Sequence, residues 1–467
     1  MTRIRYFTFL ILLLGSFSLC GQAELGDIAP DEKRIKSVKD FFVKGQLHGH
    51  VRNYFMATIN EKELKDYWTN ATGGAFKYET ANWKGVQFGI KGVVIYQTVS
   101  SDLSMPDLLV QKSAGWEKEL YDIALPPGQK VLTGLDELYI QYSRQNSIIR
   151  LGKIDLNQGP LLLNRDGRMK PFVYQGIWVE INELKNHQFN LGWINGVSPR
   201  GMTQWYSLNE AIGLLNNGFQ QDGTKAEYHQ YANTAGMGIL GYKVTLSEKL
   251  KVQLWDYFLH NIDNTLWVQA DLEENHLFGG MQYVLQTASQ QQQTLRPENQ
   301  YFQPQQSSNT VSVQVGYQSL SNDLKLSASY LHGFGPGRFL FPKELGRENF
   351  YVSQARSWVD GFGRVNIYMI RGQFQPNHEK WDNWSFDFRF SFIEAPVPQD
   401  FAQNKYARSD YGQATLLVDY EFEKQLEGLH LSLLYVLKDS GSQNLLPSEI
   451  FYKTNLHHFN LIANIIF

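Results

Sequence analysis

Cysteine is nearly absent: the chain of 467 residues has one, Cys20, and it lies inside an N-terminal targeting segment. With that segment removed the protein has no disulfide, no thiolate metal ligand and no cysteine nucleophile. Long apolar runs are missing too. A mean hydropathy of −0.36 excludes a bundle of transmembrane helices, but not a membrane barrel, whose strands are apolar on one side only. Neither sign of charge is in excess: 43 Lys and Arg stand against 46 Asp and Glu, so nothing points to a nucleic-acid partner. No Gly-x-Ser-x-Gly elbow or His-Glu-x-x-His pair is present, which leaves a hydrolase without a motif. We expect no enzymatic activity, no cofactor and no metal site.

What the chain does have is aromatic strand chemistry. Aromatics make up 14% of the residues, and 39 Gly outnumber 15 Pro. Sheets favour rings and β-branched side chains, and outer-membrane barrels add aromatic girdles at both interfaces. Residues 1–23 read as a signal peptide: Arg3 and Arg5 precede an apolar run over 6–19 that is too short to span a bilayer. Leu19 is bulkier than a lipoprotein signal takes before its cysteine, which places cleavage near Ala23. The mature chain then carries 41 cations against 46 anions. Residues 24–39 form a polar periplasmic lead, and 40–467 the barrel.

Period-2 alternation begins directly after the lead. Val43, Gly45, Leu47, Gly49 and Val51 share one parity, while Lys44, Gln46, His48, His50, Arg52 and Tyr54 share the other. The pattern recurs over 74–81, 85–99, 135–144, 147–155, 173–183, 188–196, 236–247, 250–260 and 265–273. It continues over 276–287, 310–320, 324–332, 361–375, 384–394, 412–423, 429–438 and 456–467. The set predicts about eighteen strands. In 384–394 the rings Phe386, Phe388, Phe390 and Phe392 alternate with Asp387 and Arg389, which puts the rings toward lipid and the charges toward a lumen. Connections alternate as well: tight polar turns interleave with long segments at 100–134, 197–235, 288–309, 333–360 and 395–411. An all-β transmembrane antiparallel barrel with short periplasmic turns and long extracellular loops has this layout.

Several local patterns have a plain reading. Gly236-Met-Gly-Ile-Leu-Gly241 matches a dinucleotide fingerprint, but Tyr242, Val244 and Leu246 continue a strand where a helix is required. His457 and His458 are adjacent, so they point to opposite faces. The Gln-rich run over 289–293 reads as a solvated outer loop. The luminal parity collects Arg52, Lys91, Arg150, Arg364 and Arg389 against Asp387 and other carboxylates, a mixed lining that fixes no gross ion preference.

Val51-Arg-Asn-Tyr-Phe55, the stretch from Trp83 to Gly89, and Arg150-Leu-Gly-Lys153 followed by Pro160, Asn164, Asp166, Arg168, Pro171 and Gln175-Gly176 resemble the OprD family of outer-membrane porins. The resemblance implies an eighteen-stranded, substrate-specific channel with a loop, about 156–172, folded inward to narrow the pore. It implies passive, partly selective diffusion of small hydrophilic solutes bearing carboxylates, such as amino acids or small organic acids. Basic side chains of the wall and loop would guide them. Arg52, Arg165 and Arg168 follow from the motif, with Asp166 beside them; Lys91, Arg150, Arg364, Asp387 and Arg389 follow from parity. The setting is the outer membrane of a Gram-negative bacterium, with outer-membrane lipid and lipopolysaccharide as surroundings. The terminal strand ending in Phe467 resembles the signal read by the barrel assembly machinery. A hydrophobic-solute transporter, a barrel enzyme and a soluble β-sandwich are the competing readings.

Overall fold

The computed structural model describes residues 35–123, 128–163, 168–304, 306–378, 381–442 and 444–467. Eighteen long antiparallel strands, each hydrogen-bonded to its neighbours in sequence, form one sheet. The sheet closes where the first strand, Gln46–Asn60, pairs with the last, Leu456–Ile466. A further two-residue strand, Tyr206–Ser207, belongs to a loop and pairs with the end of His187–Ser198. Closure satisfies every ladder along the wall, which is what allows strands to cross a membrane at all.

Parity sets the two faces. Along Trp384–Glu394 the rings of Phe388, Phe390 and Phe392 are each more than 40% exposed, while Ser391 and Ile393 between and after them are buried. Val313, Val315 and Tyr317 are exposed in the same way on Ser307–Gln318. Reversing this register would put Arg389 against lipid at about 2–4 kcal/mol. Cysteine at Asp387 is therefore expected to react with water-soluble thiol reagents and cysteine at Phe388 only with lipophilic ones. The opposite labelling would refute the register.

Several strand limits differ from the sequence reading. The first strand begins at Gln46 because Ser37 caps a short helix, Val38–Val43, by accepting from the Asp40 N–H at 3.1 Å. That helix seats Phe41 against Trp83 and Phe88. The second and fourth strands start earlier than read, at Tyr67 and Val131. The strand read over 361–375 starts at Asn366, because the backbone of Gly361 and Phe362 is bonded to Phe339 across the neck of a loop, at 2.8 Å in each direction.

The inner face is less polar than alternation implied. Trp178, Trp255, Tyr257, Trp267, Leu331 and Ile367 point inward and are almost fully buried. They are covered by loops rather than wetted.

Candidate solute path through the barrel

Of the loops packed into the interior, three bear on the candidate path. The loop after Val86–Ser100 packs Trp116, Leu120 and Tyr121 against Tyr54, Met56 and Ile95. The loop after Ser147–Ile154 places Leu156, Leu161, Leu162 and Phe172 in the cluster that holds Trp255 and Tyr257. Gly159 makes this close approach possible: its φ is +72°, and a Cβ there would overlap the Tyr257 hydroxyl. The loop after Leu324–Phe334 supplies Phe339, Phe341, Phe350 and Val352 to the same cluster. The first and third of these segments read as external loops in the sequence. The apolar density of Phe339-Leu-Phe341, Leu345 and Phe350 is the signal against a solvated position.

Arg356 stands at the point where the loops meet. Its φ is +62°, left-handed backbone that costs a bulky residue about 1–3 kcal/mol unless its surroundings hold it. They do: Lys438 Nζ donates to the Arg356 carbonyl at 2.6 Å, and Gln413 Nε2 to the Ala355 carbonyl at 2.8 Å. Arg356 and Trp358 line two cavities at once. One, of about 350 Å³, lies toward the short-turn end and includes Asp387, Arg389, Asp419 and Asn464. The other, of about 220 Å³, lies among the long loops and includes Trp116, Lys343, Arg408, Lys438 and Lys453.

The outer cavity is cationic with little compensation. Arg408 donates to the carbonyls of Trp358 and Asp360, and Lys453 to that of Ala407, so neutral acceptors hold both. Lys343 lies 3.5 Å from the Tyr406 ring centre and 3.7 Å from Asp360. Burial pushes Lys343 and Lys453 down to about 8, and the cations Lys112 and Arg408 add to this at Lys453. Arg347, buried over the Trp358 ring at 3.6 Å, is lowered to about 9 for the same reason.

The residues expected from sequence are placed as follows. Arg165 and Asp166 lie outside the described residues. Arg168 is buried against Glu119 in an ion pair, and its carbonyl accepts from Arg52 Nη1 at 2.6 Å. Arg52 also donates to Asn464 at 2.6 Å. Arg52, Lys91 and Arg150 line a third cavity, of about 660 Å³, under the second inward loop. There Lys91 faces Glu137 at 3.4 Å and Arg150 donates to Gln141 at 2.6 Å.

Asp387 and Arg389 face the lumen and do more than line it. Arg371 sits directly opposite Arg389 in the ladder, a like-charge pairing that Asp387 relieves by accepting from both. Arg389 then donates through Nη1 to the Ser353 carbonyl at 2.7 Å, tying the wall to the loop that carries Arg356. Arg364 departs from the expectation: it precedes the strand start at Asn366 and is exposed at the loop end, outside the three cavities. The Gln-rich run is not simply solvated either, since Gln292 is buried and accepts from the N–H groups of Tyr301 and Phe302. Arg347, Arg356, Trp358 and Glu119 were missed because strand parity says nothing about loops.

The sequence profile of the OprD family of outer membrane porins matches residues 140–422. No curated protein matches the chain. Among solved structures the barrel is similar to Pseudomonas aeruginosa OccK9 (OpdG), with TM-score 0.67 and 13% identity over 91% of this chain and 100% of that one. It is also similar to Pseudomonas aeruginosa OpdO, with TM-score 0.66 and 11% identity over 92% and 98%. OpdK of the same organism, solved with vanillate, gives TM-score 0.64 and 14% identity over 91% and 99%. At these identities the structural likeness speaks to the fold, and the profile, which spans more than half of the chain, carries the family. The chain belongs to the OprD family of outer membrane porins, β-barrels of the Gram-negative outer membrane.

Proposed function

We propose that this porin passes small carboxylate-bearing solutes, amino acids or small organic acids, and that Arg356 is the group they meet at the constriction. The observation that carries the reading is the position of Arg356: it lines the cavities on both sides of the loop junction, and on the outer side it stands with Arg408 and Lys453, which are held by carbonyl oxygens. Its Nη1 has no hydrogen-bond partner among the described residues, whereas Arg168 is occupied by Glu119. The Nη1 of a charged guanidinium can donate to a carboxylate, and the rings of Trp116 and Trp358, which line the same cavity, suit the apolar part of such a solute. The structural neighbour OpdK, solved with vanillate, is in keeping with an aromatic acid as one such solute. The family profile and the porin fold support a channel rather than an enzyme.

The test is Arg356→Gln in liposome uptake and in planar bilayers. Uptake of a small carboxylate is expected to fall about tenfold, the equivalent of ~1.4 kcal/mol, and the reversal potential in a salt gradient to shift toward cations. Unchanged uptake and reversal potential would remove Arg356 from the path.

A further inference from the structure

Arg356 does not aim itself. Its Nε donates to His458 Nε2 at 2.8 Å, and its Nη2 lies 3.3 Å from Asn460 Oδ1. A ring nitrogen that accepts from an arginine carries no proton, so His458 must be the neutral tautomer protonated on Nδ1. The other side of the ring agrees: Nδ1 lies 2.8 Å from Thr58 Oγ1, and the Thr58 hydroxyl in turn donates to Glu117. Glu117 also accepts from the Tyr452 hydroxyl and is wholly buried. Asn460, turned so that its amide donates to His458 Nε2 and its oxygen accepts from Arg356, fits the same tautomer. Trp116 packs against the imidazole in a T-shaped contact, at 5.0 Å between ring centroids.

We propose that His458 is a positioning residue for the selectivity of this channel: the relay Glu117, Thr58, His458 holds one imidazole nitrogen as an acceptor that locks the Arg356 Nε and points the remaining guanidinium edge at the passing solute. Elements far apart in the chain meet at the imidazole. The first strand gives Thr58, the loop after Val86–Ser100 gives Glu117 and Trp116, and the loop after Leu324–Phe334 gives Arg356. Lys438 on the neighbouring strand, bonded to the Arg356 carbonyl, adds a second cation. The relay is absent from any single stretch of sequence, since Thr58, Glu117, Arg356 and His458 lie far apart along the chain. The inference rests on the reading of Arg356 as the solute contact, so the two are tested together.

The experiment compares His458→Phe, His458→Gln, Arg356→Gln and the His458→Phe/Arg356→Gln double variant by reversal potential in planar bilayers with potassium chloride gradients. Heat-modifiable gel mobility checks that each barrel has folded. We expect His458→Phe to lower the anion-to-cation permeability ratio as far as Arg356→Gln does. The double variant should go no further than either single one, because His458 acts through Arg356. His458→Gln, which keeps an acceptor for Arg356, should recover most of the ratio. Additive effects, or a Gln variant as impaired as the Phe variant, would overturn the inference. If Arg356→Gln shifts the ratio and His458→Phe does not, the positioning role fails and the proposed function stands. If Arg356→Gln changes nothing, both fail. Should the Phe variant not fold, nitrogen-15 NMR of histidine-labelled protein decides independently, with His458 assigned by difference from the Gln variant. An Nδ1–H tautomer supports the relay, and an Nε2–H tautomer is incompatible with it.

Discussion

Excising residues 341–359 and bridging Leu340 to Asp360 with a short Gly-Ser linker is expected to raise single-channel conductance several-fold and to bring the anion-to-cation permeability ratio close to one. The cut is placed where the fold tolerates it. Phe339 and the pair Gly361 and Phe362 exchange backbone hydrogen bonds at the neck of the loop, so its ends are already side by side. What is lost is Phe341, Leu345, Phe350, Val352 and Val359, which fill the lumen against Trp255, Trp267 and their neighbours, together with Arg347, Arg356 and Trp358. A barrel of sixteen to eighteen strands leaves an aqueous channel when nothing occupies it. The wall should survive, because its ladders are closed without the loop. Bilayer recordings of the excised protein check this, and an unchanged conductance would mean that the current does not run past this loop.

Raising the pH from 7 to 9.5 is expected to lower the anion-to-cation permeability ratio of the intact channel by a factor of about 2–3 for each of Lys343 and Lys453, since a unit charge about 7 Å from an ion in a water-like dielectric is worth about 0.6 kcal/mol. Burial lowers both lysines to about 8. They are therefore charged below that value and neutral above it, whereas an exposed lysine keeps its charge until about pH 10.4. The sign separates this effect from unfolding. A lysine lowered in the folded state binds fewer protons there than in the unfolded chain between about 8 and 10.4, so stability rises with pH over that window while selectivity falls. Reversal potentials measured across the range should show the step in the natural protein and a flattened one in Lys343→Met/Lys453→Met. A step that persists in the double variant would assign it to other groups.

The eighteen strands and their register were legible because one face of every strand meets lipid: the exposed rings of Phe388, Phe390 and Phe392 alternate with Arg389 and Ser391, and a slip of one residue would put a charge in hydrocarbon. The alternation of short and long connections and the loop after Ser147–Ile154 were legible for the same reason, since strands delimit what lies between them. Strand starts were less secure. Gly361 and Gly363 continue an alternating pattern, yet their backbone bonds to Phe339 and Gln403 and not to a neighbouring strand.

The interior was decided by tertiary structure alone. Parity says that Arg389 faces inward, but not that it reaches the carbonyl of Ser353 or that Asp387 reconciles it with Arg371. It assigns no face to a loop residue, so Arg347, Arg356 and Glu119 carried no periodic signal at all. The physical reason is that lipid constrains the outside of a barrel uniformly, residue by residue, and writes a period of two into the sequence. The lumen is shaped by loops that fold back from one end and pack by long-range contact. Which cation then stands free and which is paired depends on partners such as Thr58, Glu117, Asn460 and His458, brought together only when the barrel closes.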